Sequence, residues 1–233
     1  MYDNLLQLPL FQGLNKNDFT SIIEKVRLHF LTYKKGEIIQ SQDEPCDQLI
    51  FMLNGEIIAK TTHHDAGYSL SETFDTPHLI EPQSLFGMHN TFKATYCAKE
   101  ESKLLTIDKS FISSELINYE VFRLNFFNIL SNRCQTLQQK LWTSTSPTIK
   151  DMIVHFLLMR CQLSYGEKTL HISMDHLANM IDETRINVSR TLNEWQEKEW
   201  IQLRRKEIYI PIFERLIQDL MLSDFSSLIN INV

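Results

Sequence analysis

The sequence lacks the features that mark a membrane protein, a secreted protein or a broadly basic nucleic-acid binder. No apolar run approaches the ~18 residues that a membrane span needs. Residues 1–11 contain an acidic residue and no basic segment, so they do not resemble a secretory signal. The net charge of −6 argues against bulk affinity for nucleic acid, although local basic clusters matter more than the total. We therefore expect a cytoplasmic protein without a membrane partner.

Motifs for catalysis and metal binding are also missing. The four cysteines, Cys46, Cys97, Cys134 and Cys161, show no C-x-x-C or similar ligand spacing, so an iron–sulfur site is not expected. We expect four buried free thiols. No nucleophile–base pair and no glycine-rich phosphate loop is evident. The sequence thus predicts neither an enzyme nor a resident cofactor or metal.

The order of hydrophobic periodicities predicts an α+β chain. Short apolar runs alternate with turn residues over residues 28–107, which is typical of an antiparallel β-roll of the double-stranded β-helix or jelly-roll type. The period then becomes helical until a break at residues 144–147, which we interpret as a hinge; Pro147 suits the first turn of the next helix. The predicted parts are the roll at 1–114, a long helix and hinge at 115–145, a winged helix-turn-helix at 146–222 and a tail at 223–233.

One face of the long helix carries apolar side chains at heptad-like spacing. The helix could lie against its own domain, or it could pair with a second copy across a two-fold axis, which is the commonest oligomer symmetry. We favour pairing and expect a homodimer. The residues of this dimer seam are Phe127, Leu130, Cys134, Leu137 and Leu141.

The last third of the chain has the pattern of a winged helix-turn-helix. Ser173 and Thr184 are candidate N-caps of two successive helices, which a tight turn at Asp182 and Glu183 separates. A β-hairpin with a basic tip follows the second helix. Its basic side chains suit phosphate contact by a wing, although an ordinary solvated turn is the alternative.

The second of these helices offers one face to a core and another to a partner. At 100° per residue, one arc holds Val188, Thr191, Leu192 and Trp195. The exposed arc carries two arginines, whose guanidinium forks grip phosphate and guanine edges. The residues expected to contact DNA are Thr184, Arg185, Ile186, Asn187, Ser189, Arg190 and Asn193 on the helix, and Arg204, Arg205 and Lys206 at the hairpin tip.

Five local motifs occur in an order known from one protein family. They are LFQGL at 10–14, KGEII at 35–39, FMLNGEI at 51–57, LFG at 85–87 and TRINVSR at 184–190. On these motifs the chain resembles the Crp/Fnr family of bacterial transcription regulators over about residues 8–220. The resemblance implies a cyclic-nucleotide-binding-type roll that senses an effector, a dimer helix and a winged helix. It also implies a homodimeric, sequence-specific regulator of transcription, with palindromic double-stranded DNA and RNA polymerase as partners.

Two departures from the family concern the effector. Met88 stands where cyclic-AMP-binding members have a Glu, and Phe92-Lys93 replaces their Arg-Ser pair. A buried phosphate without those groups is costly, so cyclic AMP is not expected to bind in the usual way. Lys93 either substitutes for the missing arginine as a point charge or is an exposed loop residue. The histidines of the roll, His78 among them, are interpreted as loop residues and not as haem ligands. The residues expected at the effector pocket are Phe86, Gly87, Met88, Lys93, Ala94, Thr95 and, unless they are solvated helix surface, Gln138 and Gln139.

The DNA-reading helix departs from the family as well. Arg185 and Arg190 match arginines that family members direct at phosphates and guanine, whereas Ile186 stands where they often have Glu. Isoleucine cannot accept a hydrogen bond from cytosine, but it can touch a thymine methyl, which predicts a half-site shifted towards A·T. Alternatively, Ile186 packs on a neighbouring helix. A competing function is a ligand-binding signalling module whose winged helix contacts protein; the paired arginines favour DNA.

Overall fold

The computed structural model describes residue 6 and residues 8–142 and 148–219. These residues form two compact units that do not follow chain order. The roll unit comprises the residues up to Ile58 together with Phe74–Cys134. The winged unit comprises Ala59–Thr73 and the residues from Gln135 onward. The predicted tail at 223–233 and Pro147 lie outside the described residues.

The roll unit is built from short antiparallel strands, as the sequence predicts. Helix α1 (Lys16–Lys25) begins at Asn15, whose side chain accepts a hydrogen bond from the Asp18 amide at 2.8 Å. The next strands along the chain are β1 (Leu28–Tyr33), β2 (Ile38–Gln40), β3 (Gln48–Asn54), β4 (Glu56–His63), β5 (Tyr68–Asp75), β6 (His78–Ile80), β7 (Thr95–Ala98) and β8 (Ser102–Asp108). Most of β4 and β5 belongs to the winged unit, and the other strands belong to the roll unit. One sheet has the order β1-β8-β3-β6, and β2 pairs with β7. Phe51 and Leu105 are opposite each other on β3 and β8, and both are buried at the centre of this unit.

A single long helix follows the strands. Helix α2 (Lys109–Ser114) and a 3₁₀ turn (Leu116–Asn118) lead into α3 (Glu120–Trp142), which has 23 residues. Phe122 and Phe126 on α3 are buried. The predicted seam is a different face of the helix, and it is mostly uncovered in the single chain. Phe127 is 51% exposed, Leu137 58% and Leu141 69%, Cys134 is exposed, and Leu130 is half-buried.

The winged unit has the predicted helix-turn-helix and hairpin. Its helices are α4 (Ile149–Leu158), α5 (Met174–Met180), α6 (Arg185–Glu197) and α7 (Phe213–Asp219), and its strands are β9 (Lys168–His171), β10 (Gln202–Arg204) and β11 (Glu207–Ile210). The Ser173 hydroxyl accepts from the His176 amide at 3.2 Å, and the Thr184 hydroxyl accepts from the Asn187 amide at 3.3 Å. Both predicted N-caps are therefore confirmed.

A strand from the sequence of the roll completes the winged unit. The sheet order here is β10-β11-β9-β5, with Glu72 opposite Lys168 on β5 and β9. Tyr68 and Leu70 are buried in the same core as Trp195. Residues 59–73, which the sequence-based boundaries placed in the roll, thus cluster with the winged unit. A strand's own side-chain pattern does not specify which strand it will pair with.

The cysteines differ in part from expectation. All four are free, but only Cys46 and Cys161 are buried; Cys97 is half-buried and Cys134 is exposed. Cys134 faces solvent because it lies on the uncovered seam of α3. Among the described residues, no three or more His, Cys, Asp or Glu side chains are grouped to hold a metal ion. No helix within the described ranges has the length and apolarity needed to cross a membrane.

Candidate nucleic-acid interface and sensor site

Helix α6 has one buried face and one exposed face. Val188, Thr191, Leu192 and Trp195 are at most 5% exposed, whereas Ile186 is 80% exposed. The alternative in which Ile186 packs on a neighbouring helix is therefore wrong for the described chain. One continuous surface groove is lined by Arg185, Ile186, Ser189, Arg190 and Asn193, and Glu194 and Glu197 extend it towards the end of the helix. Positive charge is thus confined to the first half of α6, where the helix dipole also favours a phosphate.

Two of the predicted contact residues hold the start of α6. The Thr184 side chain caps the helix, and the Asn187 amide group donates to the Glu183 carboxylate at 3.2 Å. The Arg185 guanidinium lies 3.5 Å from the Asp175 carboxylate, with both side chains 67% exposed. An ion pair this exposed is weak, so Arg185 can exchange it for another anion.

A polar network ties α6 to its neighbours α4 and α7. The Trp195 indole N–H donates to the Asp219 carboxylate at 3.3 Å, and the ammonium groups of Lys150 and Lys198 lie 3.4 and 3.5 Å from the same group. Burial raises the pKa of Asp219, but the Trp195 hydrogen bond and the two lysines outweigh burial and lower it overall. The network fixes the orientation from which the exposed face of α6 projects.

The hairpin after α6 places three cations at one tip. Arg205 and Lys206 form its two-residue turn, in which Lys206 has a left-handed φ of 58°. Arg204 is paired with the Glu207 carboxylate at 3.1 Å, and His171 lies 3.1 Å from the same side chain. Within the part of the chain that the structure describes, Arg205 and Lys206 have no acidic partner. A phosphate can therefore contact these two side chains without breaking an ion pair.

The residues predicted for the effector pocket do not gather around one buried centre. Met88 is 92% exposed and Gly87 is exposed beside it, while Phe86 is 39% exposed and packs edge-to-face on Phe126. The Lys93 side chain is exposed, which is one of the two alternatives given by the sequence. Of the remaining candidates, Ala94 is buried, Thr95 accepts a hydrogen bond from the Gln42 amide, and Gln138 and Gln139 are exposed on α3.

The buried polar centre of the roll unit is Glu81, which sequence reasoning missed. Glu81 is 1% exposed, has a left-handed φ of 35° and precedes a 3₁₀ turn, Pro82–Ser84. Its carboxylate accepts from the Ser84 hydroxyl at 2.7 Å, from the Tyr96 hydroxyl at 2.8 Å and from the Lys93 amide at 2.9 and 3.0 Å. In the sequence, a Glu followed by Pro reads as a surface turn, and only the apolar Leu-Ile before it hinted at burial.

Arg133 on α3 and His78 on β6 lie at the edge of the Glu81 centre. The Arg133 guanidinium donates to the Gln83 side chain and, at 3.2 Å, to the Leu79 carbonyl. Burial lowers the pKa of Arg133, while Tyr96 and the negative Glu81 raise it. Burial, followed by the charge of Arg133, lowers the pKa of His78 to about 3, so this imidazole is neutral at pH 7. His78 is therefore a partly buried strand residue and not the loop residue that the sequence suggested.

Two family models match parts of the chain. A model of the Crp-like helix-turn-helix domain matches residues 153–218, and a model of the cyclic nucleotide-binding domain matches residues 30–119. The CRP-like cAMP-activated global transcriptional regulator of Mycobacterium tuberculosis is 18% identical over 228 residues, which cover 93% of this chain and 98% of that protein.

Two solved structures are similar to this chain at 16% identity. Thermus thermophilus catabolite activator protein is 16% identical, with a TM-score of 0.47 over 90% of this chain and 97% of that chain. The sensor domain of the transcriptional regulator DNR from Pseudomonas aeruginosa is 16% identical, with a TM-score of 0.49 over 63% of this chain and 99% of that chain. The exposed face of α6 lies inside the first matched domain and the Glu81 centre inside the second.

Proposed function

The chain belongs to the Crp/Fnr family of transcription regulators, and we propose that it is a homodimer that reads a palindromic DNA site with two copies of α6. One observation carries the proposal. Arg185, Ile186 and Arg190 are exposed together on a helix whose opposite face is anchored by the buried Trp195. Guanidinium groups in such positions match phosphate oxygens and guanine edges, and an apolar tip between them matches a thymine methyl.

The acidic net charge limits how the protein binds DNA. With a formal charge of −6, it has no broad electrostatic attraction to phosphate, so affinity depends on a few placed cations. Those on α6 are Arg185 and Arg190, and those at the hairpin tip are Arg205 and Lys206. We assign base reading to the α6 pair with Ile186, and phosphate contact to the tip.

Helix α3 is the surface that we assign to the dimer. Its seam side chains recur at heptad-like spacing, and the single chain leaves Phe127, Leu137 and Leu141 more than half exposed. Pairing two seams across a two-fold axis removes this apolar surface from water. Two copies of α6 then enter successive major grooves about one helical turn apart, roughly 34 Å. Contact with RNA polymerase and cytoplasmic location stay predictions.

DNA selection from a random pool tests the function. The full chain is expected to enrich a palindrome whose half-sites contain A·T pairs and depart from the family consensus. Arg185→Ala should weaken binding to that site about 5- to 150-fold, because one good fork contact contributes about 1–3 kcal/mol. Arg215→Ala, which removes an exposed cation from α7 in the same unit, serves as the matched control and should bind normally.

Two outcomes would contradict this function. If no palindrome is enriched, the protein is not a sequence-specific DNA binder of this type. If DNA retention is absent while the dimer is intact, the winged unit contacts another protein instead.

A further inference from the structure

The Glu81 centre has the chemistry of an anion-binding site. Three donors converge on one point from two separate segments: the Ser84 hydroxyl from the 3₁₀ turn, and the Lys93 amide and Tyr96 hydroxyl from the segment that enters β7. Ser84 and Tyr96 are 3% and 0% exposed, so water does not compete for these donors. Converging donors in a dry environment bind a negative group strongly.

The anion at this point is supplied by the chain itself. Each carboxylate oxygen of Glu81 accepts two hydrogen bonds: Oε1 from the Lys93 amide and the Tyr96 hydroxyl, and Oε2 from the Lys93 amide and the Ser84 hydroxyl. The acceptor sites of the carboxylate are thus filled. A second anion would have to displace Glu81 or approach a buried like charge, and both are unfavourable.

We propose that Glu81 is a built-in anionic ligand of the roll unit, whose carboxylate fills the anion site that Ser84, Lys93 and Tyr96 form. The site is therefore closed to phosphate and carboxylate effectors in the native protein. Arg133 links the turn at Pro82–Ser84 to α3 through Gln83 and the Leu79 carbonyl, one position before the seam residue Cys134.

Removal of the side chain, followed by its return as a free molecule, tests the site. Glu81→Gly relieves the left-handed backbone and leaves a space with the shape of propionate. We expect the variant to melt at a lower temperature than the native chain. Propionate should raise its Tm progressively with the logarithm of concentration, by about 3–6 °C at ten times the Kd, and chloride at equal ionic strength should not. Propionamide, the uncharged analogue, is the matched control and should leave the Tm unchanged.

The Tm of the native chain is measured with the same additives as that of Glu81→Gly. Cyclic AMP, inorganic phosphate and propionate should each leave its Tm at the chloride value, because the donors are already occupied. A rise in the native Tm with cyclic AMP or phosphate, relative to chloride at equal ionic strength, would overturn the proposal, since it would show that the site accepts an external anion. Equal effects of propionate and propionamide on Glu81→Gly would also overturn it. These arms use no DNA, so their result is separate from that of the DNA-binding proposal.

A double-variant comparison keeps the proposal testable if Glu81→Gly does not fold. Glu81→Gln and Tyr96→Phe each remove part of the donor–acceptor set while the side-chain volume is nearly unchanged. If the carboxylate holds the donors as described, the loss of Tm in the double variant is smaller than the sum of the single losses. Additive losses would show that Glu81 and Tyr96 do not act as one site.

Discussion

At the scale of single residues, Ile186 is a side chain whose exposed position is explained by a function and not by the fold. It is 80% exposed, so an apolar side chain is placed in water where a polar one would serve the fold equally well. An isoleucine held between two exposed arginines on α6 gains from burial only when a partner covers it. The thymine methyl of a half-site is a partner of suitable size and chemistry.

Ile186→Ala is expected to lower affinity for the selected site by about 5-fold, because a methyl-sized apolar contact contributes about 1 kcal/mol. Fluorescence anisotropy with thymine-containing and uracil-containing sites measures this contact directly. The native chain should lose affinity when uracil removes the methyl, and the Ala variant should not. Ile38→Ala, at a 60% exposed position of the roll, is the control. Equal sensitivity of both chains to uracil would exclude the methyl contact.

At the scale of elements, α3 carries the proposed dimer seam, and two helices, α4 and α7, hold α6 in place. Helix α3 buries Phe122 and Phe126 and leaves the seam uncovered. The network around Asp219 connects α4, α6 and α7 through side chains of opposite charge. The α3 seam therefore predicts dimerisation, and the Asp219 network predicts a dependence of stability on pH.

Pairing of two α3 helices predicts that Cys134 meets its copy. Mild oxidation or a short bis-maleimide should link the native chain into a covalent dimer on a non-reducing gel, because facing seam positions bring the Cα atoms within about 7 Å. Cys134→Ser should abolish the product. Gln135→Cys in the Cys134→Ser background moves the thiol to the next position around the helix and should not cross-link. A chain that stays monomeric at the concentration where it binds DNA would argue against the seam.

The Asp219 network predicts a loss of stability in acid. The folded-state pKa of Asp219 is below its ordinary value of 3.8, so its contribution is present above that value and is lost as the pH falls through the folded-state pKa. Asp219→Asn should therefore lower the Tm clearly at pH 7 and progressively less below about pH 4. A difference between the two chains that does not change from pH 7 to pH 3 would contradict this role.

At the scale of the whole molecule, the chain folds into two units whose boundaries cut across its sequence. Residues 59–73 belong to the winged unit, in which residues 69–72 of β5 pair with β9, and a buried ion pair stabilises this strand pairing. The Lys168 ammonium lies 3.1 Å from the Glu72 carboxylate, with side-chain exposures of 0% and 2%. The same carboxylate accepts from the Gln162 and Leu163 amides, so these three partners lie in the winged unit.

Lys168→Met should lower the free energy of unfolding by about 3–5 kcal/mol, because it leaves the Glu72 carboxylate buried without its counter-charge. Lys99→Met breaks the surface pair with Glu56, which is 3.3 Å long and partly exposed, and should change the unfolding free energy by less than about 1 kcal/mol. Urea unfolding of both variants gives the comparison. Equal effects would mean that the buried pair contributes no more than a surface one.

Much of the candidate DNA interface follows from the sequence because its signals are local. The N-caps at Ser173 and Thr184, the two faces of α6 and the basic hairpin tip each depend on residues within a few positions of one another. The effector region was harder to predict. A Glu beside a Pro reads as surface, and nothing near Glu81 in the sequence marks Lys93 and Tyr96 as its donors.

The order of elements, the caps and the residues that α6 exposes follow from local sequence patterns, since periodicity and capping act over one or two helical turns. The pairing of β5 with the sheet of the winged unit and the burial of Glu81 among donors do not follow from such patterns and arise in the folded chain. Both depend on contacts between distant segments: Glu72 with Lys168, and Glu81 with Tyr96. The free energy of such a contact comes from desolvation and geometry in the folded chain, which no local pattern records.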